Sequence, residues 1–254
     1  ALIDNPAVAA MIEHNALLYE DLADPVAFLK ENGANARLSR YWAYAQSKDP
    51  ASLSEADVAA YSTLMSQSQP LVAHEILKAY PFQDHRCLLD AGGGEGRFLI
   101  AAGTRHPSLN LMLFDLPAVA ERARRRLEAE GMRARAQVFG GNFINDPLPK
   151  GADLITLIRI IHDHDDESVL RLLANAREAL AKGGTLLIAE PLSDTPGSET
   201  VGAAYFGFYL MAMRQGRPRS FRTLAGLLGR AGFTQIKSLP TDMPLQTSVI
   251  AAIP

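Results

Sequence analysis

The spacing of apolar residues changes once along the chain. Up to about residue 80, apolar side chains recur every three or four positions, as in NPAVAAMIEHNALLYEDLADPVAFL and SEADVAAYSTLMSQSQPLVAHEILKAY. This period predicts helices, because residues three and four apart share one face of a helix. Ser54, with Asp57 three positions later, predicts the start of the second helical stretch. The first 80 residues are therefore expected to be helical, without strands.

From Arg86 onward, short apolar runs alternate with helical stretches. The runs CLLDA, LNLMLFD, AQVFGG, ADLITLI and GGTLLIAE predict strands, with helices after the first, second and fourth. This alternation is typical of a parallel sheet built from crossover units. TQIKSLP and TSVIAAI, joined by a turn-rich link, predict a closing antiparallel hairpin. The expected fold class is α/β, with a mostly parallel, Rossmann-like sheet preceded by a helical segment.

Composition narrows the class of protein. The 254 residues are 48% hydrophobic and carry a net charge of -3, which is typical of a globular protein and gives no argument for nucleic-acid binding. The single cysteine, Cys87, cannot form an internal disulfide, which fits a reducing compartment and a cytoplasmic location. The longest apolar run, from Val201 to Met213, is shorter than the roughly 18 residues that suggest a membrane span, and it predicts a buried helix. The arginines of ERARRRLEAEGMRAR predict a solvated helix face, balanced by the glutamates of the same stretch.

A glycine-rich loop follows the first predicted strand. LLDAGGGEGRF places Asp90 at the strand end and four glycines before a helix, so that backbone can approach a ligand closely. Arg97 stands where a dinucleotide fingerprint needs a small residue, which weakens the alternative of an NAD-dependent oxidoreductase. Asp115 ends the next strand, where an acid holds ribose hydroxyls in nucleotide-binding α/β folds. The loop therefore predicts a nucleoside cofactor whose amino-acid part faces Asp90.

The stretch RIIHDHDDESV allows three interpretations: a metal site, a general base, or the start of a helix. A metal site is disfavoured, because the other histidines all lie upstream and none follows His164. Residues 165–167 introduce a helix, where acids cap free backbone amides. His162 directly follows an apolar strand, and Glu190 ends the next strand at the same edge of the sheet. This pair predicts a general base with a carboxylate partner.

Together these motifs resemble the S-adenosylmethionine-dependent O-methyltransferases related to plant caffeate and flavonoid methyltransferases. LLDAGGGEG is similar to their cofactor loop, LMLFDLP to the ribose strand, VFGGNF to the adenine-side segment, IIHDHDD to the catalytic motif and AEPL to a strand with a supporting glutamate. The resemblance covers most of the chain. It implies a class I methyltransferase fold, S-adenosyl-L-methionine as cofactor, S-adenosyl-L-homocysteine as product, and no metal. The implied cofactor-binding residues are Asp90, Gly92, Gly94, Gly96, Asp115, Leu116, Asn142 and Phe143.

The resemblance also implies roles on the acceptor side. His162 is expected to be the base, Glu190 its partner, and Asp163 a neighbour of the acceptor. Aromatic and flexible apolar side chains in AAYFGFYLMAM suit a long apolar acceptor. The residues expected to line its pocket are Met65, Tyr205, Phe206, Tyr209 and Met213, which Tyr41 and Trp42 could extend.

Within the family, the chain is most similar to bacterial carotenoid enzymes that methylate a terminal hydroxyl of demethylspheroidene or hydroxyneurosporene. An O-methyltransferase for a phenolic or polyketide metabolite is the alternative within the family. A protein that only binds an apolar ligand is the non-catalytic alternative, against which the presence of both His162 and Glu190 speaks.

The chain departs from the family pattern in two places. Pro218, in GRPRS, stands where plant members carry a second glutamate. The family also begins with a winged-helix dimerisation domain of about a hundred residues, which a chain starting at ALIDNPAV is expected to lack. Residues 1–80 are then a helical linker that lines the substrate pocket, and residues 81–254 the S-adenosylmethionine-binding catalytic domain. The expected partners are an apolar small-molecule acceptor and, in the intact protein, a second copy in a homodimer; an apolar substrate would draw the enzyme to the membrane surface, without a transmembrane segment.

Overall fold

The computed structural model of the chain describes residues 6–41, 47 and 50–254. Its first part contains the helices α1 (Pro6–Asp21), α2 (Pro25–Lys30), α3 (Leu38–Tyr41) and α4 (Glu55–Ala79). Helix α4 begins as predicted, because the Ser54 hydroxyl accepts the N–H of Asp57 while the Asp57 carboxylate accepts the N–H of Ser54. This reciprocal cap satisfies backbone donors that the start of a helix leaves open.

A seven-stranded sheet organises the remaining chain. The elements are, in order, β1 (Cys87–Ala91), α5 (Arg97–Arg105), β2 (Asn110–Asp115), α6 (Pro117–Ala129), β3 (Ala136–Gly140), β4 (Leu154–Ile158), α7 (Asp166–Ala179), β5 (Thr185–Glu190), α8 (Glu199–Met213), α9 (Phe221–Arg230), β6 (Gln235–Leu239) and β7 (Ser248–Ile253). The strand order is β3-β2-β1-β4-β5-β7-β6, and β7 alone runs antiparallel to its neighbours β5 and β6. The predicted α/β class, the parallel sheet and the C-terminal hairpin are confirmed.

Two apolar layers cover the sheet. Helices α7 and α9 pack on one face, and the end of α4 with α5 and α6 packs on the other. Every residue of β4 is buried, which explains why this strand reads as a continuous apolar run rather than as an alternating one. Loops can therefore meet a ligand only at the strand ends, and the parallel strands β1, β2, β4 and β5 all end at the same edge.

Helix α8 departs from its prediction as a buried helix. Only Gly202, Leu210, Ala212 and Met213 are buried, and Val201 is 54% exposed. Its C-terminal half packs against α1, α2 and α3 in a separate apolar cluster. The helix therefore lies beside the two main layers, where one side remains open. Among the described residues, no helix combines the length and the apolar character that crossing a membrane requires.

Candidate active site

A cleft of about 330 Å³ opens at the carboxyl edge of the parallel strands, facing helix α4. Many predicted site residues line it: Met65, Asp90, Gly92, Gly94, Asp115, Leu116, Asn142, Phe143 and Asp163. Gly96, His162 and Glu190 lie behind this surface. The structure therefore brings the predicted residues to one place, while their chemical roles stay predictions.

The glycine loop is shaped by positions that other residues could not occupy. Gly92 and Gly94 have φ angles of 74° and 56°, in the left-handed region that favours glycine. A Cβ atom at Gly92 would lie 2.4 Å from Cδ1 of Ile160, whereas Gly94 has open space around it. Gly96 caps helix α5 with a φ of 78° and faces Leu127 rather than the cleft. The loop thus leaves its backbone open at Gly94, where a ligand can approach.

Asp90 presents an unsatisfied carboxylate oxygen to this region. The side chain is 1% exposed, and its Oδ1 accepts the hydroxyl of Thr156 at 2.6 Å. Its Oδ2 is buried and has no hydrogen-bond partner in the described part of the chain. Burial raises the pKa of Asp90 to about 7, although the bond from Thr156 opposes this change. Because a buried acceptor without a donor is costly, a ligand amino group in the cleft would stabilise it, and the site therefore fits a cofactor with an amino-acid part.

Asp115 joins the end of β2 to the glycine loop. Its Oδ2 accepts the N–H of Gly94 at 2.8 Å, and its Oδ1 accepts the N–H of Leu116 at 2.7 Å. Burial raises the pKa of Asp115 to about 6 despite these two bonds. Each carboxylate oxygen can accept a second hydrogen bond. Asp115 can therefore hold the loop and ribose hydroxyls at the same time.

An aromatic pair lines the part of the cleft that is predicted to hold the adenine. The rings of Phe143 and His164 meet edge to face, with centroids 5.6 Å apart, and both line the cleft. Burial lowers the pKa of His164 to about 4, so this ring is neutral at pH 7. Oδ1 of Asn142 accepts the N–H of Ile144 at 3.0 Å and shapes the same segment. His164, for which the sequence predicts no role, is thus a neutral ring that packs against Phe143. No cluster of three or more metal-ligating side chains occurs among the described residues.

His162 lies between two carboxylates in the short turn Ile161–Asp163 that follows β4. Oε2 of Glu190 lies 2.7 Å from Nδ1 of His162, and Nε2 lies 3.2 Å from Oδ1 of Asp163. When Glu190 accepts the Nδ1 proton, a neutral His162 has its Nε2 lone pair beside the Asp163 carboxylate, which favours protonation of the ring. Burial alone would lower the pKa of His162, but Asp163 and Glu190 outweigh it and raise the pKa. Burial raises the pKa of Asp163 to about 6, against the opposing charge of His162.

The segment around Pro218 supports this turn with an arginine instead of a second glutamate. Arg219 is 4% exposed and donates to the carbonyl oxygens of Ile161 at 2.8 Å and His164 at 2.7 Å. It also forms an ion pair with Asp166 at the start of α7. The carboxylate that lies beside Nε2 of the imidazole is that of Asp163, within the turn itself.

Gly216 and Arg217 bring the same segment into contact with the turn that carries His162. The N–H of Arg217 donates to the carbonyl oxygen of His162 at 2.9 Å. Gly216 has a φ of 77°, and a Cβ atom there would lie 1.9 Å from that oxygen. Only glycine allows this approach.

Three arginines that the sequence analysis did not place at the site also line the cleft, and two of them, Arg97 and Arg159, contact helix α4. Arg159 follows β4 with a φ of 56° and donates to Ser68 Oγ at 2.8 Å and Gln69 Oε1 at 2.6 Å. Arg97 donates through Nε to Ser66 Oγ at 3.0 Å. Both therefore fasten helix α4 over the cleft. Their places directly after a strand end and after the glycine loop are the signal that could have pointed to them.

The predicted balance of the arginines in and just after α6 by glutamates of the same stretch is found for Arg124, which pairs with Glu121, and for Arg133, which pairs with Glu128. Other arginines of α6 pair outside the stretch. Arg122 and Arg126 form ion pairs with Glu95 in the glycine loop, whose side chain is 2% exposed. Arg125 pairs with Glu55 at the start of α4. These pairs tie the loop and the N-terminal helices to α6.

Most of the predicted acceptor residues do not line the cleft. Met65 lines it, whereas Tyr205, Tyr209 and Met213 pack against α1, α2 and α3. Phe206 meets Tyr205 edge to face at 5.1 Å. The hydroxyl of Tyr209 interacts electrostatically with Arg159 at the cleft. A role for α8 at the acceptor stays a prediction; Trp42 and the side chain of Tyr41 lie outside the described residues.

Comparison with known proteins identifies the family of the chain. Residues 19–234 match the family of the O-methyltransferase domain. Demethylspheroidene O-methyltransferase of Cereibacter sphaeroides is 44% identical over 253 residues, covering 100% of this chain and 66% of its own length. The protein of the same name from Rhodobacter capsulatus is 40% identical over 255 residues, covering 99% of this chain and 62% of its own length. The chain thus spans less than two thirds of these relatives.

A solved structure of similar shape is an O-methyltransferase from neocarzinostatin biosynthesis, in complex with S-adenosylmethionine and 2-hydroxy-5-methyl naphthoic acid. It is 26% identical, with a TM-score of 0.70, over 98% of this chain and 70% of its own. Its similarity to this chain extends over the N-terminal helices as well as the sheet.

Proposed function

Because this chain belongs to the O-methyltransferase family, we propose that it transfers a methyl group from S-adenosylmethionine to the hydroxyl of an apolar acceptor. The cofactor is S-adenosylmethionine, and the family match removes the basis for the oxidoreductase alternative. The proposed acceptor is the terminal hydroxyl of a carotenoid intermediate, such as demethylspheroidene or hydroxyneurosporene. The observation that carries this assignment is the identity of 44% and 40%, along the whole chain, to two relatives that are named for demethylspheroidene.

The described residues fit the donor part by part. Oδ2 of Asp90 can accept hydrogen bonds from its amino group, because this buried oxygen has no other donor in the described chain. Asp115 can accept from the ribose hydroxyls, and Phe143 with His164 provides apolar surface for the adenine. When bound, the cofactor supplies a methyl group that its sulfonium has already activated. The protein must then hold the acceptor oxygen in line with that carbon, and such positioning can contribute roughly 7 to 11 kcal/mol.

His162 is the proposed general base. An aliphatic hydroxyl resembles water, whose pKa is about 15.7, so complete proton transfer to an imidazole near 6.5 would cost roughly 12 kcal/mol before any methyl transfer. The proton must therefore leave as the new bond forms, and a base in that position contributes about a hundredfold to ten-thousandfold. Glu190 fixes the Nδ1–H tautomer and stabilises the imidazolium that results. Asp163, between Nε2 and the cleft, is the proposed neighbour of the acceptor.

A carotenoid is too long for the cleft alone. About 330 Å³ corresponds to a single ligand of moderate size. The polyene would therefore continue from Met65 along the half-buried side of α8, where Tyr205, Phe206 and Tyr209 offer aromatic surface. An apolar surrounding also favours attack of a partly anionic oxygen on a sulfonium, because the reaction cancels charge.

A competition between acceptors tests the assignment. The protein is incubated with methyl-labelled S-adenosylmethionine and an equimolar mixture of a hydroxylated carotenoid and a hydroxynaphthoate, and the label on each product is measured. We expect label on the carotenoid hydroxyl. Label only on the hydroxynaphthoate, the class bound by the neocarzinostatin enzyme, would favour the phenolic alternative and contradict the carotenoid assignment.

We also propose how the chain divides into two parts, how the intact protein assembles and where it is located. Residues 1–80 form a helical segment that closes the cleft, and residues 81–254 bind the cofactor, which Arg97 and Arg159 support by joining the two parts. We propose, first, that the intact protein is a homodimer. We propose, second, that it is a cytoplasmic enzyme that associates with the membrane surface. The first is tested by the mass of the intact protein in solution, the second by co-sedimentation with vesicles that contain the carotenoid.

A further inference from the structure

The three arginines that line the cleft differ in how many hydrogen-bond donors they have left, and Arg171 uses its terminal nitrogens on Glu167 and Ser168. Arg159 uses both terminal nitrogens on helix α4, where Ser68, Gln69 and the carbonyl oxygen of Met65 accept. Arg97 uses only Nε, on Ser66. Within the described chain, neither terminal nitrogen of Arg97 has a hydrogen-bond partner. A guanidinium carries five N–H donors, so four of them remain available at the cleft surface.

The position of Arg97 suits an anion. It is the first residue of the nine-residue helix α5, directly after Gly96, where the positive end of the helix also favours negative charge. On the other side of the glycine loop, the buried Oδ2 of Asp90 lacks a donor among the described residues and suits a cation. Both side chains line the same cleft, which therefore offers one group for each charge of a zwitterion.

We propose that Arg97 binds the α-carboxylate of the methionyl group of S-adenosylmethionine, and that Ser66 orients the guanidinium. The inference rests on the proposed use of this donor and deepens it, because no other residue has yet been assigned to that carboxylate. The planar fork of an arginine matches the two oxygens of a carboxylate and allows a bidentate pair. It also gives a reason for arginine at a position where dinucleotide-binding loops need a small residue.

Binding calorimetry without an acceptor tests this role. S-adenosylmethionine and its decarboxylated form, which keeps the sulfonium and the amine, are titrated into the wild-type protein, Arg97→Met and the control Arg222→Met. Arg222 is an exposed arginine of α9, so its variant has the same change in net charge away from the cleft. We expect Arg97→Met to weaken binding of S-adenosylmethionine by about tenfold or more and binding of the decarboxylated form by less than about threefold, since a hydrogen bond to a charged group is lost. Arg222→Met should change neither.

Two milder variants keep the test decisive if Arg97→Met does not fold. Arg97→Lys retains the charge but loses the fork, and Ser66→Ala removes only the hydroxyl that orients it. Both variants should weaken the binding of S-adenosylmethionine more than the binding of its decarboxylated form. Equal weakening of both compounds, or no change in either, overturns the proposal. If the two compounds are distinguished as expected but no hydroxylated carotenoid is methylated, the proposed acceptor is wrong and the role of Arg97 stands.

Discussion

Oε2 of Glu190 lies 2.7 Å from two nitrogens of His162, the backbone N–H and Nδ1. Glu190 is 3% exposed. Its Oε2 therefore fixes both the turn that carries the imidazole and the tautomer of the ring. Nε2 is left to face Asp163, which itself lines the cleft. This arrangement gives the imidazole of His162 a fixed orientation, which the proposed role as a general base requires.

The acid limb of the pH profile should depend on Asp163. Asp163 and Glu190 raise the pKa of His162, so the basic form is lost as the pH falls through a value above 6.5. In Asp163→Asn, one of these negative charges is absent, and the midpoint of kcat/KM against pH should move to lower pH. The plateau should fall because a weaker base accepts the proton less readily.

The control for this prediction is Glu167→Gln in the same motif. The side chain of Glu167 is 83% exposed and forms an ion pair with Arg171, away from the imidazole. It should leave the midpoint in place. An unchanged midpoint in Asp163→Asn would mean that this carboxylate does not control the base.

Asp90→Asn should raise the stability of the fold and weaken the binding of S-adenosylmethionine. The pKa of Asp90 is about 7 in the fold and ordinarily 3.8, so the folded state binds more protons between these values. The free energy of unfolding then falls as the pH rises through this range, by up to about 1.4 kcal/mol per pH unit. Asn keeps an oxygen for the Thr156 hydroxyl and has no charge to bury.

Thermal unfolding without ligand measures the effect. At pH 8 the Tm of Asp90→Asn should exceed that of the wild type, and the difference should shrink as the pH falls towards 4. Calorimetry should show S-adenosylmethionine binding weakened by about tenfold or more, because Oδ2 no longer pairs with its amino group. A Tm difference that does not change with pH would show that the charge on Asp90 is not the cause.

Gly216→Ala should disturb the catalytic turn from outside it. A Cβ atom would lie 1.9 Å from the carbonyl oxygen of His162, and the φ of 77° is unfavourable for alanine. A displacement of the base by about 1 Å can cost roughly a hundredfold in kcat, so we expect a loss of that order. The measurement is kcat with saturating donor, together with the affinity for S-adenosylhomocysteine, which should change little.

Gly207→Ala is the matched control. Gly207 lies in helix α8, and apart from the neighbouring backbone of that helix no atom of the described residues lies within 4 Å of its Cβ position. Alanine should raise stability there by about 0.5 to 1 kcal/mol and leave kcat unchanged. Equal kcat values for the two variants would argue against support of the turn by Gly216.

The parts of this protein that the sequence predicts are those set by local pattern. Apolar runs and the residues at their ends identify β1, β2, β4 and β5, and because parallel strands share an edge, Asp90, Asp115, His162 and Glu190 could be placed there together. Ser54 and Asp57 fix the start of α4 through contacts three residues apart. Such signals require only neighbouring positions.

The rest depends on contacts between distant residues. Arg219 reaches the turn at Ile161 across 58 positions, and Glu95 meets Arg122 and Arg126 only after α6 has packed. No pattern within either segment indicates its partner. The apolar composition of α8 likewise does not say whether it lies inside a core or beside one, which is why its burial was overestimated.

The central claim is that His162 removes the proton as the methyl group is transferred to an acceptor oxygen. The most direct measurement is the single-turnover rate of label transfer from S-adenosylmethionine to a hydroxylated carotenoid, in the wild type and in His162→Gln. Both proteins are assayed at a concentration of S-adenosylmethionine that calorimetry shows to be saturating. We expect the rate of His162→Gln to fall by about a hundredfold to ten-thousandfold while its donor affinity stays within about threefold of the wild type. A rate equal to that of the wild type would contradict the account.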